Sequence, residues 1–281
     1  MISYAQNRED VLLARAFEQQ TSGFYIDIGA NHPTYDSVTR HFYESGWSGI
    51  NVEPGETYSE LARERPRDTN LNLAISNRPG TIAYYEFPGT GLSTLCVAEV
   101  AARMDEGRTP VQRQVEALTL KSICESYVSR EIDFISIDVE GHEREVIEGG
   151  DWQQWRPRVA LIESTRPIST EPSHEPWEPL LLSAGYQFAV FDGLNRFYVR
   201  DEDAGLLPAL RAPLTVLDGV VPFAHAREVR CLQERIAELE TALHDVKRAN
   251  PLGYVFGRAL TRLRRLVAGR AAEARPCPSN S

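Results

Sequence analysis

The sequence has few cysteines, no paired metal-ligand spacing and no long hydrophobic run. Its four cysteines are scattered along 281 residues, which excludes a zinc knuckle or a dense disulfide framework and favours a reducing compartment. No uninterrupted apolar segment approaches the ~20 residues of a membrane span. The first residues carry charges where a secretory signal peptide has an apolar centre. We therefore expect a cytoplasmic protein without membrane spans.

An excess of positive charge is also missing. The chain has 30 Lys and Arg against 40 Asp and Glu, which gives a formal net charge of −10. A negative molecule repels nucleic acid and anionic lipid when its charge acts as a whole. We expect no nucleic-acid partner. The composition is otherwise that of an ordinary soluble globular protein, with 42% hydrophobic and 25% charged residues.

Short apolar strands alternate with helices through residues 4–199, which favours an α/β fold with a mostly parallel, Rossmann-like sheet. The turn signal at 192–194 predicts a hairpin, and hence an antiparallel edge. The predicted strands cover residues 24–28, 48–52, 69–74, 80–87, 133–138, 159–163, 187–191 and 195–199. The predicted helices cover residues 4–20, 37–45, 57–64, 120–127, 143–148 and 178–184.

The pattern changes after Arg200. Residues 201–225 contain several prolines and glycines and predict a linker. Residues 226–270 predict a helical extension, and residues 271–281 a disordered tail. Apolar residues spaced three and four apart predict a heptad seam, typical of a coiled coil. The seam consists of Val229, Leu232, Ile236, Leu239, Leu243 and Val246.

Beyond Pro251 a second apolar face is surrounded by five arginines, which is typical of helices at an anionic membrane surface. We expect a homodimer through the seam and peripheral membrane contact through the basic helix. The alternative is a helix packed against the α/β domain, with its arginines merely solvated.

Acidic and glycine residues follow the first two predicted strands. Asp27 is followed by Gly29-Ala30-Asn31, where glycine lets the backbone approach a ligand closely. The loop is shorter than the G-x-G-x-x-G that cradles a pyrophosphate, so a dinucleotide cofactor is disfavoured. Glu53 ends the next strand, 24 positions after Gly29. An acid near this spacing accepts hydrogen bonds from ribose hydroxyls in Rossmann-like sites.

A denser group of ionisable residues follows the strand at 133–138. Ligands bind outside the carboxyl ends of strands in open α/β sheets, so this group is a candidate acid–base or metal site. Glu163 ends the next strand and would face Asp138 across the same crevice. The alternative is a solvated helix start, where acids stabilise the helix dipole. The group comprises Asp138, Glu140, His142 and Glu143.

Taken in order, these segments resemble the FkbM family of methyltransferases over residues 3–199. The resemblance implies a class I methyltransferase fold that binds S-adenosylmethionine (SAM), with a C-terminal helical extension outside the family pattern. The matching motifs are Ser3-Tyr-Ala-Gln6-Asn-Arg-Glu9-Asp10, Tyr25-Ile-Asp27-Ile-Gly29-Ala30-Asn31, Asn51-Val-Glu53-Pro54, Asn72-Leu-Ala74-Ile-Ser76, Leu118-Thr-Leu, Ile137-Asp138-Val-Glu140-Gly141-His142-Glu143 and Leu161-Ile-Glu163.

The resemblance also implies a cofactor site. The methionine moiety would lie among Asp27, Gly29, Ala30 and Asn31. Glu53 would bind the ribose hydroxyls, and Ala74 and Ser76 would lie beside the adenine. The segment 6–10, beginning with Gln6, and the loop 91–94 would cover the cofactor. We also assign Asp138 to this site.

Family members mostly methylate hydroxyls of sugars or natural products, often in surface-glycan clusters. This implies an O-methyltransferase of polysaccharide biosynthesis that acts on a sugar, glycan or glycosylated small molecule. The hydroxyl needs a general base. His142 is preferred because imidazole titrates near neutrality, and Asp138 and Glu140 are the other catalytic candidates. Alternatively, Asp138 and Glu163 would bind Mg²⁺, which would acidify the hydroxyl.

Two other classes of protein stay open from the sequence. One is a catalytically inactive Rossmann-like scaffold in a glycan-assembly complex, held there by its C-terminal helix. Intact Gly29 and Glu53 argue against it. The other is a nicotinamide-dependent oxidoreductase, which the missing pyrophosphate loop disfavours.

Overall fold

The computed structural model describes residues 1–249, together with Gly257 and Thr261. The chain forms two compact units. The first comprises Met1 and residues 3–220, and the second comprises Ile2 and residues 221–281. The predicted basic segment after Pro251 and the predicted tail at 271–281 therefore lie outside the described residues, apart from Gly257 and Thr261.

Helices and strands alternate along the described part of the chain. Two 3-10 helices lie at Asp201–Leu206 and Val216–Asp218. The strands are β1 (Ile2–Ser3), β2 (Phe24–Ile28), β3 (Ser48–Val52), β4 (Thr69–Leu71), β5 (Ala74–Ile75), β6 (Gly80–Glu86), β7 (Val111–Leu118), β8 (Phe134–Ile137), β9 (Val159–Glu163), β10 (Tyr186–Phe191), β11 (Asn195–Arg200) and β12 (Val221–Pro222). The helices are α1 (Glu9–Ala16), α2 (Arg40–Glu44), α3 (Tyr58–Glu64), α4 (Val97–Asp105), α5 (Leu120–Tyr127), α6 (Glu143–Glu148), α7 (Glu178–Ser183), α8 (Leu207–Arg211) and α9 (Phe223–Ala249).

A seven-stranded sheet forms the centre of the first unit, in the order β10-β11-β9-β8-β2-β3-β4. Five strands are parallel, and β10 and β11 form an antiparallel hairpin that pairs with β9. Counted along the chain, the seven strands lie in the order 3-2-1-4-5-7-6, whose first five positions follow the Rossmann order. The predicted Rossmann-like sheet, mostly parallel with an antiparallel edge, is confirmed.

The central strands β2, β8 and β9 are buried along their whole length, because helices cover both faces of the sheet. Strands in such positions read as continuous apolar runs, which is why the sequence revealed them. Successive residues serve opposite faces: Ile26 packs with α5, α6 and α7, whereas Tyr25 packs with α1, α2 and α8.

A smaller sheet, ordered β5-β7-β6, lies beside the main one. The predicted strand at 69–74 is divided between the two sheets, as β4 and β5. The sequence analysis missed β7 and α4. Four of the first five residues of β7 are polar or exposed, with the run Val111-Gln-Arg-Gln-Val115, so the segment lacks the apolar alternation that marks a half-buried strand.

Residues 201–220 belong to the first unit, whereas the sequence predicted a linker over 201–225. Leu210 on α8 is fully buried in the cluster formed by α1 and α2. Arg211 donates a hydrogen bond to the carbonyl of Ala189 at 3.1 Å. The prolines and glycines of this stretch therefore shape short helical turns on the domain surface, and the unit ends at Val220.

The second unit contains α9, a helix of 27 residues that overlaps the predicted helical extension over residues 226–249. In the described part of the chain, no helix combines the length and the apolar character that crossing a membrane requires.

Gly29 lies where β2 ends beside β8, at the centre of the sheet. Its φ of +84° is in the left-handed region, and a Cβ atom there would lie 1.8 Å from the carbonyl oxygen of Asp138. Asp138 itself donates its backbone N–H to the Ile28 carbonyl at 3.0 Å. The two strand ends therefore approach each other so closely that only glycine fits.

This contact predicts that Gly29→Ala destabilises the fold far more than its backbone angle alone would. Gly46 is the matched control, because its φ is +92° and no described atom lies within 4 Å of its would-be Cβ. Gly46→Ala should cost ~1–2 kcal/mol of unfolding free energy, the left-handed penalty. Gly29→Ala should cost at least ~4 kcal/mol in urea unfolding, in the range of severe core disruption. Equal losses would contradict the close contact.

Candidate functional site

A cavity of about 460 Å³ opens at the carboxyl edge of the main sheet, within the size range of small-molecule sites. The segments after β2, β3 and β8 form its walls, together with the loop 87–95. Among the described residues that line it, none is lysine or arginine. Eight lining residues carry carboxyl groups: Glu9, Asp27, Asp36, Glu53, Glu56, Glu86, Asp138 and Glu140.

Most of the predicted site residues come together here. His142, Ser76 and Glu163 are not among the lining residues, although Glu163 contacts Asp138 directly. The imidazole Nε2 of His142 lies 3.1 Å from the Ser76 hydroxyl, and its Nδ1 lies 3.5 Å from a carboxylate oxygen of Glu145. The predicted residues that line the cavity are Gln6, Asp27, Gly29, Ala30, Asn31, Glu53, Ala74, Asp138 and Glu140.

Glu53 follows β3 and is nearly fully buried. One carboxylate oxygen accepts the backbone N–H of Asn31 at 2.8 Å, and the other accepts that of Gly55 at 2.6 Å. Asn31 itself has a left-handed φ of 45°. Burial raises the pKa of Glu53 to about 7, although the two hydrogen bonds favour the charged form. Glu53 therefore joins the loops after β2 and β3.

A buried polar network holds the side chain of Asp27 in place. Its carboxylate accepts the Thr39 hydroxyl at 2.7 Å. The fully buried guanidinium of Arg65 donates to Ser37 at 2.8 Å and pairs with Asp68 at 3.6 Å. This network fixes the loop 33–39 at one side of the cavity. Burial raises the pKa of Asp27 to about 6.

Asp138 and Glu163 form a hydrogen-bonded pair of carboxyl groups at the ends of β8 and β9. The structure thus brings them together across one crevice, as the sequence predicted. Burial raises the pKa of both groups, and the charge on Asp138 raises that of Glu163 further. Two adjacent buried carboxyl groups disfavour each other's ionisation, which adds to the effect of burial.

Contacts at Glu140 fasten the loop 87–95 to the cavity. The Thr94 hydroxyl donates to the Glu140 carbonyl at 2.7 Å, and Arg103 of α4 pairs with the Glu140 carboxylate at 2.7 Å. Burial and Asp138 raise the pKa of Glu140 to about 8, against the effect of Arg103. The sequence analysis missed Arg103, because nothing in its surroundings distinguishes it from a solvated helix residue.

Glu9 and Asn195 also line the cavity, and of these two the sequence analysis considered only Glu9, as part of the segment 6–10 predicted to cover the cofactor. Glu9 is buried and accepts the Asn195 amide at 2.7 Å and the backbone N–H of Asn7 at 2.8 Å. Burial, with Asp192 nearby, raises the pKa of Glu9 to about 8. The position of Glu9 inside the motif 3–10 was the only signal in the sequence.

The structure offers no support for the predicted magnesium site at Asp138 and Glu163. Within residues 1–249, no group of three or more His, Cys, Asp or Glu side chains is arranged to hold a metal ion. Asp138 and Glu163 are only two carboxyl groups, and among the described residues no third ligand of this kind completes a metal site beside them.

One comparison with known proteins identifies the family of the chain. A family model for the methyltransferase FkbM domain matches residues 27–188. The match covers more than half of the chain, which therefore belongs to the FkbM methyltransferase family, a SAM-dependent class. No curated protein matches the chain. The crystal structure of magnesium protoporphyrin IX methyltransferase (ChlM) from Synechocystis PCC 6803 with bound SAM is similar in part, at 10% identity and a TM-score of 0.37, covering 69% of this chain and 79% of that one.

The residues of the cavity fit this cofactor. SAM carries a sulfonium and an ammonium, and both positive charges suit a wall of carboxyl groups without lysine or arginine. Its ribose offers two hydroxyl donors, and Glu53 ends the strand at which Rossmann-like folds place a ribose acceptor. When bound, SAM supplies an electrophilic methyl group.

Glu53→Ala should weaken the binding of S-adenosylhomocysteine (SAH) about tenfold to a hundredfold, as expected for a lost hydrogen bond to a charged group. Glu53→Gln keeps one oxygen acceptor and should lose less. Isothermal titration measures both variants, and Glu125→Ala, an exposed change on α5, serves as control. An unchanged dissociation constant for Glu53→Ala would contradict the assignment.

The raised carboxyl pKa values predict an unusual pH dependence. Asp27, Glu53 and Glu9, with folded pKa values of about 6, 7 and 8, keep protons that the unfolded chain loses near pH ~4. The free energy of unfolding of the cofactor-free protein should therefore fall as pH rises from ~4 to ~8. Urea unfolding across this interval measures it, and a rising stability would contradict the burial of these groups.

Because SAM is a cation, its binding should ionise some of these acids and release protons. Titration in two buffers of different ionisation enthalpy near neutral pH detects that release. SAH lacks the sulfonium charge and should release fewer protons. Equal proton release by the two ligands would show that the acids do not sense the cofactor's charge.

Proposed function

We propose that the protein transfers a methyl group from SAM to a hydroxyl of a sugar, glycan or glycosylated natural product. The observation that carries this proposal is the composition of the cavity wall, with eight carboxyl groups and no lysine or arginine among the described lining residues. Such a wall accepts hydrogen bonds from a neutral polyol and repels multiply charged phosphate groups. Any phosphate of an activated sugar or a lipid-linked glycan would stay outside the cavity.

Asp138 is our candidate for the general base. A sugar hydroxyl is a weak nucleophile, so the chain must orient it and accept its proton as the methyl group is transferred. Asp138 lines the cavity, and burial raises its pKa above that of an ordinary carboxyl, which makes it a stronger base. Glu163 hydrogen-bonds Asp138 and acts as a positioning residue, because it fixes which oxygen of Asp138 is free for the substrate.

In this proposal, His142 is the second candidate for the general base, after Asp138. Its ring lies outside the cavity lining and faces Ser76 and Glu145. Burial also lowers its pKa. A base must reach the proton that it removes, directly or through one water. A catalytic role for His142 stays a prediction that the experiment on Asp138 also decides.

An acceptor screen tests the proposal. Methyl-labelled SAM is incubated with methyl glycosides, glucosamine and nucleotide sugars, and the products are analysed for the labelled bond. We expect label in an ether on a neutral sugar hydroxyl. Label on the nitrogen of glucosamine would contradict O-methylation. Failure of every acceptor, with SAH binding intact, would favour the catalytically inactive scaffold in a glycan-assembly complex.

With an acceptor in hand, Asp138→Asn should lower kcat by ~10²–10⁴, the usual contribution of a positioned base. Asparagine preserves the shape and can donate to Glu163, so SAH binding should persist. His142→Ala should keep near wild-type kcat, and Glu163→Gln should shift the pH profile of kcat. A large loss in His142→Ala together with an active Asp138→Asn would transfer the base role to His142.

A further inference from the structure

Helix α9 carries an apolar stripe that the described residues leave largely open to solvent. The six residues of the predicted heptad seam are 40–58% exposed. Helices in proteins are stabilised mainly by packing an amphipathic face rather than by intrinsic propensity. A 27-residue helix with an open apolar stripe therefore needs a partner. The stripe consists of Val229, Leu232, Ile236, Leu239, Leu243 and Val246.

The spacing of this stripe identifies the kind of partner. Successive gaps of 3, 4, 3, 4 and 3 residues place Val229, Ile236 and Leu243 at heptad positions a, and the other three at positions d. This spacing produces the narrow seam of a coiled coil, whereas packing against a globular domain uses a wider face. β-branched residues at two of the three a positions and leucine at two of the three d positions favour two parallel strands.

The charges beside the seam match a second copy of the same helix. Arg235 occupies a g position and Glu240 the following e position, and these two positions meet across a parallel, in-register dimer. Their charges are opposite, and symmetry makes the pair twice. In an antiparallel dimer g faces g and e faces e, so that Arg235 would meet Ala242 and Glu240 would meet Gln233. Only the parallel arrangement therefore brings the opposite charges of Arg235 and Glu240 together.

We propose that α9 pairs with α9 of a second copy as a parallel, in-register coiled coil, which makes the protein a homodimer. This inference is independent of the acceptor and of the catalytic residues. The seam spans little more than two heptads, so the dimer forms and dissociates with concentration.

Sedimentation velocity of the full chain from ~1 to ~100 µM tests the proposal. The wild type should shift from monomer to dimer, and Ile236→Asp with Leu239→Asp should remain a monomer. Ala237→Asp with Thr241→Asp is the matched control, because it adds the same two charges to exposed positions off the seam. SAH titration confirms that each variant keeps its first unit. A wild-type monomer throughout, or a seam variant that still dimerises, would overturn the proposal.

Charge exchange tests the orientation. Glu240→Arg places like charges opposite each other and should weaken dimerisation about threefold to tenfold, and the double variant Arg235→Glu with Glu240→Arg should restore it. Arg235 also pairs with Glu238 in its own helix at 2.8 Å, so Glu240→Arg is the cleaner single change. Wild-type dimerisation by Glu240→Arg would overturn the parallel arrangement. A monomer that sediments with phosphatidylserine vesicles, and loses this with the seam variant, would assign the stripe to a membrane instead.

Discussion

The contact between Gly29 and the carbonyl of Asp138 is the constraint on which the site depends. Neighbouring parallel strands in a Rossmann-like sheet diverge at one place only, where the strand order reverses, and ligands bind in the crevice that opens there. In this chain the reversal lies between β2 and β8. Because the two strand ends touch without an intervening side chain, the residues after β2 and those after β8 become opposite walls of one cavity. Asp27 and Asn31 stand on one wall, and Asp138 and Glu140 on the other.

Burial, as well as sequence, sets the proton affinity of the carboxyl groups in this cavity. Carboxyl groups at strand ends are ordinarily ionised, but here Glu9, Asp27 and Glu53 have pKa values raised to about 8, 6 and 7 by desolvation. The positive charge of Arg65, in the polar network next to Asp27, offsets only part of this desolvation. Ionising these buried acids costs free energy, although each of them accepts hydrogen bonds. A bound cation would lower that cost, so we expect the binding of a positively charged cofactor to favour their ionised forms.

The sequence predicted the central sheet well because its strands are buried on both faces and read as apolar runs. It also located Glu53 and Asp138, since strand ends and spacing follow from the chain itself. The catalytic role of His142 stays a prediction, and the sequence did not show that its ring lies outside the cavity lining. Glu140 and Gly141 both take positive φ, 57° and 98°, and turn the chain sharply before α6. The ring of His142 is thereby directed to Ser76. The periodicity of apolar residues cannot predict such a chain reversal. It also cannot predict the packing of Leu210, which extends the domain past residue 200.

The proposed reaction fits a site built from carboxyl groups for a reason of charge balance. Methyl transfer converts a cationic cofactor and a neutral hydroxyl into two neutral products and one proton. Loss of the sulfonium charge would raise the proton affinity of the buried acids. In the proposed reaction, Asp138 beside Glu163 would accept the proton of the hydroxyl. A lysine or arginine in the wall would oppose both the binding of the cation and the uptake of this proton. The absence of basic residues among the described lining is therefore what a carboxylate base requires.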